Sequence, residues 1–155
     1  MIADDPTATE LSPERRALEG LPHRPPMRLV EDLVELVPGE RARATRVARA
    51  DDFFFQGHFP GMPVVPAVIL VEMLAQTGGL AACSGAVPMP AGGLRLAALG
   101  AFKFPAAAVP GQVLEASARV AGRVFGLIKI EGDVTADGVS VASGSLTLAP
   151  GPEPA

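Results

Sequence analysis

A histidine, a helix start and a carboxylate follow one another within residues 57–76, and these groups are suited to proton transfer. The segment reads GHFPGMPVVPAVILVEMLAQ. His58 must lie in a loop, because prolines that lack a backbone N–H interrupt any strand or helix at Pro60, Pro63 and Pro66. Proline suits the first position of a helix and no further proline follows for twenty residues, so we predict a helix over residues 66–83.

The predicted helix would bring two further groups to the site. The backbone N–H of Ala67 belongs to its first turn, where free amides can bind a developing negative charge. Glu72 lies six residues after Pro66, about 9 Å along the helix at about 1.5 Å per residue, and Gln76 follows on the same face. The helix is apolar on nearly every side, which indicates that it is enclosed by other structure. We therefore expect burial to raise the pKa of Glu72 towards the neutral acid.

A base, an acid and a backbone donor together suit removal of a proton next to a carbonyl, followed by loss of a hydroxyl. Each residue also has a simpler explanation. His58 alone could be structural, Glu72 alone could face solvent or form an ion pair, and Gln76 is open between the two roles. The pairing of His58 with Glu72 favours catalysis, and the reaction would be β-elimination of water.

The pattern GHFPGxPxxPxVxxxExxAQ closely resembles the signature of the short 3-hydroxyacyl-[acyl-carrier-protein] dehydratases of type II fatty acid synthesis. The spacing from His58 to Glu72 agrees with that family, as does the LPHRPP segment at residues 21–26. A weaker resemblance extends over residues 17–148. One position differs, because the family usually has glycine where this chain has Ala67.

The resemblance implies a role for each residue of the motif. His58 would be the catalytic base and Glu72 the acid, the Ala67 amide would bind the oxyanion, and Gln76 would orient Glu72. It also implies homodimers, often trimers of dimers, whose sites combine a histidine from one subunit with a glutamate from the other. The substrate would arrive on acyl carrier protein. The pocket would be lined by Phe54, Phe55, Phe59 and Pro66, although these phenylalanines suit plain core equally well.

The remaining segments predict six strands around the long helix, which is the α+β class and, by the resemblance, a hot-dog fold. A short helix at residues 13–19 ends at Gly20, and residues 28–37 and 41–50 form a hairpin. Four strands with period-two patterning follow residue 93. The proline-rich loop holding His23 and Arg24 makes these residues structural anchors or pocket-edge groups, and we favour anchors.

Length and composition predict one domain. Its 155 residues are 48% hydrophobic, and we expect a disordered segment at 1–12, a domain at 13–149 and a tail at 150–155. No apolar leader opens the chain, which predicts a cytoplasmic protein. The apolar run after Val64 is too interrupted to span a membrane. One cysteine and two histidines offer no recognisable metal-binding spacing, and no phosphate loop is present, so we expect neither metal nor cofactor.

The net charge of −4 argues against non-specific binding of nucleic acid. A local basic run suggests a solvated strand face, or arginines that meet an acidic carrier protein, at Arg41, Arg43, Arg46 and Arg49. The chain contains no tyrosine, so the tyrosine that often gates the tunnel of the family is absent. Two other functions stay open, namely a hot-dog acyl-CoA thioesterase and an inactive dehydratase-like partner subunit.

Overall fold

The structure is a computed structural model that describes residues 11–153. Most of the segment predicted to be disordered, residues 1–10, lies outside this range. The first helix, α1, covers Pro13–Glu19 as predicted. It begins after Ser12, whose hydroxyl accepts a hydrogen bond from the Arg15 N–H at 3.2 Å, and Gly20 caps its other end.

Six strands form one antiparallel sheet in the order β1-β2-β4-β5-β6-β3. Their bounds are β1 Asp32–Val37, β2 Arg41–Val47, β3 Leu94–Lys103, β4 Val113–Val124, β5 Leu127–Ala136 and β6 Val139–Pro150. A tight turn joins β5 to β6, with positive φ at both Asp137 and Gly138.

The first hairpin was predicted at the right place but with strands that were too long. β1 begins at Asp32 instead of residue 28, because Arg28, after a turn at 25–27, donates its N–H to the Arg24 carbonyl, and the Leu29 N–H donates to the Gln76 side chain. β2 ends at Val47 instead of residue 50, since Ala48 exchanges hydrogen bonds with Gln112 and Gly111. β2, the strand that carries the arginines, therefore leaves the sheet before the chain reaches the loop that holds His58.

The long helix, α2, covers Ala67–Ala82 and packs against the concave side of the sheet. Pro66 has φ −56° and ψ 137°, so it caps the helix from outside instead of being its first residue. Glycines allow the close approach of helix and sheet. A Cβ at Gly78 would lie 2.7 Å from Ile130, and one at Gly132 would lie 2.8 Å from Leu74. A curved sheet wrapped around one central helix is the hot-dog arrangement.

The predicted alternation of buried and exposed side chains is confirmed in β4, β5 and β6. The buried members face α2, and they include Leu114, Ala116, Ile128, Ile130, Leu146 and Leu148. β3 differs, because almost all of its side chains are exposed in a single chain. It is also a sheet edge, so its outer backbone groups have no strand partner within residues 11–153.

Within the described range, neither helix is long and apolar enough to cross a bilayer. The same residues contain no cluster of three histidine, cysteine or acidic side chains that is able to hold a metal ion.

Candidate active site

Glu72 is the carboxylate of the site, and two side chains fix it. The Gln76 side-chain N–H donates to Glu72 Oε1 at 3.0 Å, one helical turn away. His23 Nε2 lies 3.3 Å from the same oxygen. Gln76 is itself anchored, since it donates to the Met27 carbonyl at 2.7 Å and accepts from the Leu29 N–H at 2.9 Å. Hydrogen bonds through Gln76 thereby connect the loop before β1 to the side chain of Glu72 on α2.

The expected rise in the pKa of Glu72 is wrong. Burial is the largest influence and raises the pKa, as predicted, but hydrogen bonds from His23 and Gln76 lower it, and so does the charge of His23. Together the lowering influences outweigh the effect of burial, so the pKa of Glu72 lies below its ordinary value. Glu72 is therefore a carboxylate at neutral pH, because the two donors stabilise its charged form.

A small cavity of about 30 Å³ adjoins this carboxylate. Glu72, Gln76 and His23 form its polar side. The remaining lining is mostly apolar, from Leu21, Pro22, Ala75, Gly79, Met89, Leu94, Leu96 and Leu148. A carboxylate at the edge of an apolar cavity suits proton transfer to a substrate that is apolar elsewhere.

His58 lies in the predicted loop and is held by its main chain. Its Nδ1 lies 2.9 Å from the Val64 carbonyl, and its ring stacks on Phe59 at 4.2 Å between centroids. The Val64 N–H also donates to the His58 carbonyl at 2.9 Å, which closes the loop on itself. Because an acceptor at Nδ1 favours a proton there, Nε2 is left as the atom able to take a proton.

The Ala67 amide is the first of α2, and Ala67 is an exposed residue. It has no hydrogen-bond acceptor among residues 11–153, in keeping with the first turn of a helix.

The residues predicted to line the pocket do not line the cavity beside Glu72. Phe54 and Phe55 are buried in the core, Phe59 is more than half exposed, and Pro66 is half-buried at the helix start.

Two residues were underestimated from the sequence. His23 contacts Glu72 directly, so it belongs to the site, and its Nδ1 is buried without a hydrogen-bond partner in the described chain. Arg46 was grouped with a solvated strand face, yet its side chain is only 5% exposed. The signal was present in the sequence, because Arg46 shares the strand parity of Ala42 and Ala44, which are buried.

The other arginines of the basic run are exposed and pair with carboxylates. Arg41 binds Glu35 at 2.7 Å, and Arg43 lies between Glu35 and Glu115 at 3.7 and 3.8 Å. Arg49 binds Glu31 through both terminal nitrogens of its guanidinium group. This strand face is therefore a mixed ion-pair network, which offers little net positive charge to an acidic partner.

Known proteins resemble this chain in sequence over most of its length. The model of the FabA-like domain matches residues 21–145. The chain belongs to the FabA-like domain family. This FabA-like chain is 38% identical to the 3-hydroxyacyl-[acyl-carrier-protein] dehydratase FabZ of Roseiflexus castenholzii, over 83% of this chain and 90% of that protein. It is 37% identical to the FabZ of Ruminiclostridium cellulolyticum, over 84% and 92%.

Solved structures share the fold of this FabA-like chain. The dehydratase heterocomplex ApeI:P from Xenorhabdus doucetiae gives a TM-score of 0.69 at 19% identity, over 88% of this chain and 91% of that chain. A homologue of HP0420 from Helicobacter felis gives 0.64 at 14% identity, over 90% and 91%. At these identities the likeness confirms the hot-dog fold alone.

Proposed function

We propose that this FabA-like chain removes water from a 3-hydroxyacyl thioester carried on acyl carrier protein, giving the trans-2-enoyl thioester, in the cytoplasm. The observation that carries the proposal is the Glu72 carboxylate, fixed by His23 and Gln76 beside an apolar cavity. The FabZ dehydratases that resemble the chain are named for the same substrate class. The reaction belongs to the synthesis of fatty acids or related lipids and polyketides.

The elimination breaks one C–H bond and one C–O bond and forms one C=C bond. His58 Nε2 takes the proton from the carbon next to the thioester carbonyl. The Ala67 N–H donates to the carbonyl oxygen, on which negative charge develops. Glu72 gives a proton to the hydroxyl group, which leaves as water. Solvent then returns the proton from His58 to Glu72, so the site is unchanged after each turnover.

Glu72 must acquire its proton before the hydroxyl leaves, although its pKa is lowered in the unliganded chain. Its side chain is still 27% exposed there. An acyl substrate bound against Glu72 would cover that remaining surface, and burial is the influence that raises this pKa. Substrate binding would thus shift the carboxyl towards the acid form at the moment when the acid is needed.

The positions of the two residues support a composite site between two subunits. Glu72 contacts His23 and Gln76, whereas His58 contacts Val64 and Phe59, and His58 does not line the cavity beside Glu72. The open edge of β3 supports a partner subunit, because it exposes apolar side chains such as Leu99. A second copy that paired along β3 would cover this edge and could bring its own His58 to Glu72.

A thioesterase is the second candidate, and the ionised state of Glu72 favours it. A carboxylate beside a thioester can activate water, which the neutral acid cannot do. The substrate separates the two activities. A dehydratase converts a carrier-linked 3-hydroxyacyl chain to a species absorbing as an enoyl thioester and frees no thiol. A thioesterase frees thiol from hydroxyacyl and saturated acyl thioesters alike, and that result would replace our proposal.

Mixing two inactive variants tests the composite site. In a heterodimer of a His58→Ala chain with a Glu72→Gln chain, one site collects both changes and the other has neither. Random association makes about half of the dimers mixed, so about a quarter of the wild-type activity should return. Each homodimer, purified in the same way, is the control. Verified heterodimers without activity would contradict a site shared between chains.

A further inference from the structure

The proposed reaction gives no role to Arg46, although this cation is almost entirely buried. Its side chain is 5% exposed on the helix-facing side of β2, among alanines. Burying a guanidinium is costly unless it is paired. One of its terminal nitrogens (Nη2) donates to Asp52 Oδ1 at 2.6 Å, its Nε donates to the Val47 carbonyl at 3.3 Å, and its head lies 5.5 Å from the centre of the Phe54 ring.

Asp52 connects this cation to the backbone that carries His58. Its second oxygen accepts the Arg49 N–H at 2.8 Å, and its own N–H donates to the Arg49 carbonyl at 2.9 Å. Asp52 also caps the short 3₁₀ turn Phe53–Phe55, where its carbonyl accepts the Phe55 N–H at 3.2 Å. Both oxygens of the carboxylate are thus engaged, one by the Arg46 side chain and one by the Arg49 backbone, while the Asp52 carbonyl binds the turn.

A backbone hydrogen bond connects this turn directly to His58. The Phe55 carbonyl, at the end of the turn, accepts the His58 N–H at 3.1 Å. Phe54 packs under the guanidinium, so the same residue that Arg46 contacts lies inside the turn. A continuous path of hydrogen bonds therefore runs from Arg46 through Asp52 and Phe55 to the backbone of His58.

We infer that the buried Arg46–Asp52 pair is a positioning device for His58, which sets the direction of its imidazole in the proposed reaction. Arg46 and Asp52 touch no substrate and act through the turn alone. This inference rests on the proposed function only for its effect on turnover. Its effect on the His58 ring is a property of the folded chain and can be measured without any substrate.

The test uses Asp52→Asn, which keeps the size of the side chain and removes its charge. The chain has two histidines, so imidazole NMR signals can be assigned by comparison with His58→Ala. We expect the His58 signals to shift and those of His23 to stay. We expect kcat to fall by about 10-fold to 100-fold with KM changed less than about 3-fold, because a small misplacement of a reacting group is enough for that loss.

Two further variants complete the design. Arg46→Met should show the same shift with a larger loss of kcat, and Arg46→Lys, which keeps the charge, should recover part of it. The control is Arg119→Met, which removes an arginine from an exposed pair with Glu131 on β4 and β5 and should change neither histidine. If the His58 signals of a folded Asp52→Asn protein match the wild type, the positioning role is wrong, whatever the activity. A shift of both histidines with a matching loss of stability would also overturn it, since it would indicate general loosening.

Discussion

The two halves of the proposed site are held in different ways. Glu72 lies on a helix whose neighbouring side chains are buried, and side chains from a distant loop fix its carboxyl group. His58 lies in a loop, and the fixed partner of its ring is a backbone carbonyl, that of Val64. The orientation and charge of Glu72 can therefore be altered one donor at a time. The direction of His58 depends on the course of the main chain, and hence on the turn before it.

Removing the proton-transfer groups themselves should have the largest effect on turnover. We expect Glu72→Gln to lower kcat by about 10²-fold to 10⁴-fold, because Gln keeps the volume but has no transferable proton. The free energy of unfolding should change by less than about 1 kcal/mol, since Gln can still accept from Gln76.

Enoyl thioester formation and a thermal melt check both parts of this prediction. Glu131→Gln, on the exposed face of β5, serves as the control for loss of a carboxylate. If stability and turnover fall together in Glu72→Gln, Glu72 is a structural residue.

Gln76 should differ from Glu72, because it serves the fold and the site at once. Gln76→Leu leaves the Leu29 N–H and the Met27 carbonyl without their partner, in a place where Gln76 is 2% exposed. Of these two groups the Leu29 N–H is the buried one, and a buried group without a partner costs about 1 to 3 kcal/mol, so we expect a loss of about 1 to 3 kcal/mol. Turnover of the folded protein should fall by about 10-fold, since one donor to Glu72 is lost.

Denaturant unfolding and steady-state kinetics would measure the two losses for Gln76→Leu. Thr77→Val is a matched control on the same helix. It removes a buried hydroxyl that donates to the Met73 carbonyl at 2.8 Å and is remote from the carboxylate. Activity lost to the same extent in both variants would show that helix packing, and not the contact with Glu72, causes the effect.

His23 should control the charge of Glu72 with little effect on the fold. The pKa of Glu72 lies below its ordinary value of 4.5, so its stabilising contribution is complete above that pH and is lost as pH falls through the lower value of the folded state. His23→Phe removes one of the two donors that lower this pKa. We expect the carboxyl to titrate at higher pH, and acid unfolding to begin at higher pH.

Carboxyl ¹³C NMR of Glu72 across the acid range would follow this titration directly. His23→Gln can return an N–H donor to the position of Nε2, so its titration should lie closer to the wild type. An unchanged titration in His23→Phe would show that Gln76 alone sets the charge of Glu72.

Local signals in the sequence were sufficient for most of the fold. The helix was predicted within one residue at each end, because Pro66 and the glycine-rich loop after Cys83 mark its limits. The alternation in β4 and β5 was readable, since only one face of each strand meets the helix. The predicted start of β1 was wrong, because pairing with β2 determines where the strand begins. The exposure of β3 could not be read from the sequence, because its side chains lie on a surface that a single chain does not bury.

The candidate site residues that the sequence singled out are close together in the chain, and the one that it underestimated is distant from them. His58, Ala67, Glu72 and Gln76 lie within twenty residues and share one motif. His23 reaches Glu72 from a loop that is distant in sequence, and no periodicity relates the two. The error in the pKa of Glu72 follows from this omission, because burial was counted without the donors that oppose it.

The smallest effect is expected at Ala67, where the backbone and not the side chain would act. Ala67→Gly keeps the amide that we assign to the oxyanion, and at an exposed helix start it should cost no more than about 1 kcal/mol. We expect turnover to be unchanged or slightly higher, because a methyl group beside the thioester is removed.

The contrasting variant is Ala67→Pro, which deletes the N–H at a helix position that tolerates proline. Pro66 already has the extended ψ of 137° that a following proline requires. Kinetics on both folded variants decide the assignment. Loss in the proline variant alone supports an oxyanion donor at this amide, whereas equal activity in the two would remove Ala67 from the site.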